Sequence, residues 1–147
     1  MGPGGASARS WIAASGFLMH IPRMSIPATA KIVTFLCTRD RATAKAFYGE
    51  TLGLTLISED DYAVVFDAKG TRLRISPVKE FTPQPFTVLG WKVPDVAAAV
   101  KELTAKGIVF ERYGFLEQDE LGIWTAGDAH IAWFKDPDGN LLSLDDS

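Results

Sequence analysis

Arg72 and Arg74 alternate with Leu73 and Ile75 in the run TRLRISPV, so on a strand both guanidinium groups share one face. A planar guanidinium there would hold a carboxylate or phosphate through two parallel hydrogen bonds. The same alternation also fits a half-buried strand with a solvated side. Ser143 stands between Leu142 and Leu144 in the closing run, and Cys37 lies in the apolar run VTFLCT. A reactive Cys37 would need a lowered pKa, and no adjacent base is visible; its other reading is a small hydrophobe. Ser143, Cys37, Arg74 and Glu117 are the polar groups open to acid–base or electrostatic work. No nucleophile–base pair can be located among them, so catalytic residues stay unassigned.

The 147 residues suit one domain with a core that needs no disulfide. One cysteine excludes an internal disulfide and any multi-cysteine zinc site. A formal net charge of −3 argues against a general nucleic-acid binder. No apolar run approaches the roughly 20 residues of a membrane span, and a cytoplasmic protein is expected. Residues 1–28, rich in Gly, Ala, Ser and Pro, show no sustained period and read as a flexible extension. In WIAASGFLM, Ser15 and Gly16 dilute the apolar run, and no clear signal-peptide cleavage site follows. One domain is expected over 29–147, in modules of about 29–80 and 84–147.

An internal repeat must position the candidate residues. VTFLCTRDRATAKAFYGETLGLTLI, from Val33, overlays VLGWKVPDVAAAVKELTAKGIVFE, from Val88, with a shift of 55 residues. Each copy opens on an apolar strand, then sets an Asp (Asp40 or Asp95) where a helix N-cap belongs. Apolar stripes follow, Ala44, Phe47 and Leu52 in one and Val96, Val100 and Leu103 in the other. Gly53 and Gly107 close the helices, and the strands LTLIS and IVFER come next. Two further strands complete each copy: YAVVFDA and TRLRISPV joined by Lys69-Gly70, then HIAWF and NLLSL joined by Asp136-Pro137-Asp138-Gly139. The pattern predicts an α+β fold of two tandem βαβββ modules, with helices on one face of a mixed sheet and a cleft on the other.

The last turn fixes a register. Asp-Pro-Asp-Gly fits a type I turn followed by a left-handed Gly, which pairs Asp136 with Asn140 and sets Trp133 opposite Ser143. Ile131, Trp133, Leu141 and Ser143 then share the cleft face, while His130, Ala132, Phe134, Leu142 and Leu144 point toward the helices. By this count His130 has a structural role.

The duplicated plan, with AFYGETLGL and KDPDGNLLSL, resembles the vicinal oxygen chelate superfamily over about residues 30–145. That superfamily includes glyoxalase I, extradiol dioxygenases, fosfomycin-modifying enzymes and bleomycin-binding resistance proteins. The resemblance implies a His or Glu metal ligand on each of four strands. Here those positions carry Val33, Val88, Arg74 and Ser143. Valine has no donor atom, arginine repels a cation, and a serine hydroxyl is a weak ligand. No metal and no other cofactor is therefore expected. The resemblance also aims Arg74 into the cleft and implies a homodimer, with the cleft across or beside the interface.

The expected cleft has Phe35 and Trp133 as aromatic floor, Val33 and Val88 at the former ligand positions, and Cys37 and Ser143 beside them. Arg72, Arg74 and Lys92 would supply cations, although a lysine such as Lys92 is also at home in solvent. Tyr113, Phe115 and Trp124, in the long segment RYGFLEQDELGIWTAGD, would form a wall or lid, with Glu117, Asp119 and Glu120 adding selectivity or solubility. This make-up, apolar with a few placed polar groups, points to a metal-independent protein that binds a small anionic or aromatic molecule. Two other readings stand beside it. One is a lyase, isomerase, transferase or dioxygenase-type enzyme with an atypical or metal-free site. The other is a dimeric interaction module whose own side chains fill the cleft.

Overall fold

The computed structural model describes residues 25–147; most of the expected extension, with His20 and Met24, lies outside the described residues. Residues Ile32–Ser147 form one compact unit. Strand β1 (Val33–Thr38) leads to helix α1 (Arg41–Ala46), then β2 (Thr55–Glu59), β3 (Val64–Asp67) and β4 (Arg72–Pro77). The second module runs β5 (Thr87–Lys92), α2 (Val96–Ala105), β6 (Trp124–Ala126), β7 (Ala129–Lys135) and β8 (Leu141–Asp145). They build two separate four-stranded mixed sheets, ordered β1-β4-β3-β2 and β5-β8-β7-β6. In each sheet the first strand pairs parallel with the last, and the other pairings are antiparallel.

The local signals act as their chemistry requires. Asp40 accepts from the backbone N–H groups of Ala42 and Thr43, and Asp95 from that of Ala98, satisfying donors that an uncapped first turn would leave bare. Gly53 and Gly107 take φ of +74° and +97°, beyond the reach of most side chains at a helix end. Lys69 and Gly70 both adopt positive φ, and Ala68 N–H donates to Thr71 C=O at 2.7 Å, giving a type I′ hairpin between β3 and β4.

Helix α1 is short because the chain widens into a π-helical turn over Phe47–Thr51, where Leu52 N–H reaches Phe47 C=O at 2.9 Å. The widened turn buries Phe47 and Tyr48 together. Gly49 permits this: a Cβ there would stand 3.3 Å from the Phe66 ring. Inward residues of both sheets, Leu36, Phe66, Leu73 and Ile75 with Phe134, Leu142 and Leu144, join Val96 and Val100 of α2 in one core. Each such side chain stabilises the fold by about 1.5–3 kcal/mol.

The second module departs from the predicted plan. IVFER forms no strand; its only pairing is a single bridge between Phe110 and Phe134. The fourth strand of that sheet is β6, drawn from the segment expected to be a loop. The segment after IVFER is folded on itself by side-chain hydrogen bonds. Gln118 accepts from Tyr113 N–H at 2.7 Å and donates to Glu111 C=O and Gly122 C=O, while Arg112 donates to Asp119 C=O and Glu120 C=O. Within IVFER, Glu111 N–H donates to Trp133 C=O of β7 at 2.7 Å while its C=O is taken by Gln118, so the contact with the sheet stays a single bridge.

Candidate functional site

The closing hairpin adopts the register read from its turn. Asp136 N–H donates to Asn140 C=O at 3.0 Å, Gly139 has φ of +95°, and Trp133 pairs with Ser143. Ala132, Phe134, Leu142 and Leu144 are buried in the core, so Ile131, Trp133, Leu141 and Ser143 occupy the opposite face. His130 is the exception. Its side chain is 47 % exposed at the strand end, and its Nδ1 lies 2.7 Å from the Asp146 carboxylate. The face count is right for β7, but the helices do not cover it that far.

Strand pairing gathers the sequence-derived candidates into two groups. In the first sheet, Val33 pairs with Arg72, Phe35 with Arg74 and Cys37 with Ser76, so all five candidates share the face turned from the core. Val33 and Phe35 are 41 % and 65 % exposed, and Cys37 is half-buried. Arg74 is near enough to Asp60 to help hold its carboxyl below the usual range. Hydrogen bonds from the Tyr62 and Ala63 backbone are the larger causes.

In the second sheet the candidates are mostly aromatic. The Trp124 and Trp133 rings stack with centroids 6.1 Å apart, and Tyr113 meets Trp133 edge-on at 5.5 Å. Phe115 lies 5.7 Å from Tyr113 and is 84 % exposed. Burial, then the Glu111 carboxylate, pushes the Tyr113 phenol up from its ordinary value. Trp124 is part of the sheet, and Tyr113 is held by the Gln118 bond to its N–H. Asp119 accepts from Leu121 and Ile123 N–H within the loop. Val88 falls at an irregularity in the β5–β8 pairing, and Lys92 pairs in register with Asp145 at the end of β5.

Ser143 is 8 % exposed, and its hydroxyl has no hydrogen-bond partner among the described residues. Sequence reasoning missed its neighbour across the parallel pair, Gly90. A Cβ at Gly90 would collide with Ser143 Oγ and lie 3.3 Å from the Ser143 carbonyl oxygen. The visible signal was a glycine inside an otherwise apolar strand, which marks a close approach. Beside this face a hollow of about 440 Å³ opens between Tyr113, Leu141, Lys135 and the linker prolines Pro83 and Pro85.

Among the described residues, no three of His, Cys, Asp and Glu lie together as a metal site would need. The positions that the resemblance assigned to ligands hold two valines, an arginine and a serine, a donor set that does not fit a divalent cation. No helix among the described residues is long and apolar enough to cross a membrane.

The two hairpin and helix motifs that carried the resemblance meet in space: the Tyr48 hydroxyl donates to Asp136 at 2.6 Å. Comparisons with known proteins agree on the fold. TnmS3, an antibiotic binding protein from Streptomyces sp. CB03234, superposes with a TM-score of 0.66 at 22 % identity, covering 83 % of this chain and 98 % of its own. A glyoxalase/bleomycin resistance protein from the same source gives 0.60 at 24 % identity, with 78 % and 98 % covered. SMU.1112c gives 0.62 at 24 %, with 82 % and 100 % covered. No curated protein matches the chain. The family model matches residues 30–144, and the chain belongs to the Glyoxalase/Bleomycin resistance protein/Dioxygenase superfamily.

Proposed function

We propose that this protein binds a small, flat aromatic molecule without a metal ion, on the face of the second sheet that carries Trp133. The observation behind this reading is the ring cluster of Trp124, Trp133 and Tyr113, set on a face that also holds the buried Ser143 hydroxyl, unpartnered among the described residues. Rings offer a stacking surface, and one unsatisfied hydroxyl offers a polar contact that fixes orientation. Arg72 and Arg74, on the corresponding face of the first sheet, suit an anionic substituent. An antibiotic-binding relative of the same fold is in keeping with such a use.

The exposed Val33, Phe35 and Val88 favour a homodimer in which the open faces are covered by a second copy. The test is native mass spectrometry of the protein from its source cells, before and after chelator treatment, with metal analysis of the same sample. A bound organic molecule that survives chelation and is lost in Trp133→Ala is expected. Stoichiometric divalent metal, with ligand lost on chelation, would overturn the reading.

A further inference from the structure

We propose a second binding site, for a small amphiphilic anion such as an alkyl or aryl carboxylate, in the groove between α2 and the first module. This site is independent of the Trp133 face and does not rest on the reading above. The groove has a volume of about 320 Å³. Its floor is apolar: Leu54, Phe134 and Leu144 are buried there, with Trp91 and Leu103 partly buried beside them.

Its rim is basic. Lys69, Lys92 and Lys106 line it, against the single acid Glu102. The chain as a whole carries −3, so three cations around one hollow reverse the sign of the local charge. Lys106 already leans over the groove, its Nζ donating to Thr51 C=O at 3.2 Å and keeping further donors free. Lys69 is held at φ +64° in the tight β3–β4 turn and forms no ion pair among the described residues.

Floor and rim together select the occupant. A bare inorganic anion would leave the apolar floor wet, and a neutral hydrocarbon would gain nothing from the lysines. A molecule with an apolar body and one carboxylate satisfies both, and the volume falls within the range of small-molecule sites.

Isothermal titration of octanoate into the full chain tests the assignment. Saturable uptake is expected, weakening as salt rises. Lys69→Glu should reduce affinity about tenfold through charge repulsion. Ala99→Phe, on the α2 wall of the groove, should abolish binding by filling the space. Melting curves without octanoate establish that each variant is folded. NMR of the wild type gives a second arm that needs no variant: octanoate should shift the Trp91 and Leu103 signals. No saturable uptake would overturn the site, as would shifts confined to Trp133 and Tyr113. Full binding retained by folded Lys69→Glu and Ala99→Phe would overturn it equally.

Discussion

The Tyr48 hydroxyl donates to the Asp136 carboxylate at 2.6 Å, across 88 residues and from one module to the other. The same carboxylate accepts from Asn140 Nδ2 at 2.8 Å and from the backbone N–H groups of Asp138 and Asn140. Asn140 also donates to Cys37 C=O at 3.1 Å, which ties the hairpin to β1. Close by, Asp138 holds Thr38 and the Arg39 backbone, and Arg39 reaches the linker through Phe81, ring and carbonyl alike.

Removing one end of this network should be costly because the other end is buried. Tyr48→Phe leaves Asp136 short of one charge-assisted bond and is expected to cost about 1–3 kcal/mol. Asp136→Ala strands the phenol and the Asn140 amide together and should cost more. Urea unfolding of both variants measures this, and equal stability of wild type and Tyr48→Phe would refute it.

Burial, and then the Asp136 charge, push the Tyr48 phenol well above its ordinary value of 10.0. The folded state therefore holds this proton more tightly than the unfolded state. Its contribution is complete below the unfolded value and declines as pH rises beyond about 10. Wild type should lose stability above that pH more steeply than Tyr48→Phe. Denaturant midpoints measured across the alkaline range would reveal the difference in slope.

On the acid side, the Thr43 hydroxyl and then its backbone N–H hold the Asp40 carboxyl below its usual value. The contribution of this cap is present above 3.8 and is lost as pH falls through the lower folded value. Asp40→Ala should lower the melting temperature at neutral pH. Asp40→Asn should keep most of the cap while flattening the acid decline. An acid profile for Asp40→Asn that parallels wild type would contradict the assignment.

Gly90→Ala should destabilise the second sheet by about 1–3 kcal/mol, because the new methyl forces Ser143 Oγ to move and presses on the Ser143 carbonyl oxygen at 3.3 Å. Combining it with Ser143→Gly removes the closest contact, so the double variant should be more stable than the sum of single costs implies. A thermodynamic cycle over the four proteins reads this directly, and strict additivity would argue against the contact.

Much of the architecture was legible because it rests on short-range chemistry. Asp40, Asp95, Gly53, Gly107 and the Asp136–Gly139 turn act within a few residues of themselves, and their roles follow from side-chain geometry. The Trp133–Ser143 pairing was readable for the same reason: one turn type sets the whole hairpin. What escaped depends on distant partners. IVFER has the composition of a strand, yet Gln118 and Arg112 meet the polar groups around it. Gly90 is explained only by a side chain 53 positions later, and His130 only by where the helices stop. The pairing of each module's first and last strands did carry the Arg72 and Arg74 face onto that of Val33 and Phe35.

The Tyr48–Asp136 bond also breaks the symmetry of the duplication. By the 55-residue shift, the position of Tyr48 in the second half belongs to Leu103, and at the Lys69-Gly70 turn, which matches Asp136–Asn140, the Asp67 carboxylate accepts from Gly70 N–H at 2.8 Å and bonds no phenol among the described residues. The first half supplies the phenol of this bond and the second its carboxylate. Two copies of the second half, associated in the same way, would set Leu103 against Asp136, and two of the first would set Tyr48 against the Lys69-Gly70 turn. The repeat thus encodes a heterologous pair, and each half has become dependent on the other for its closure.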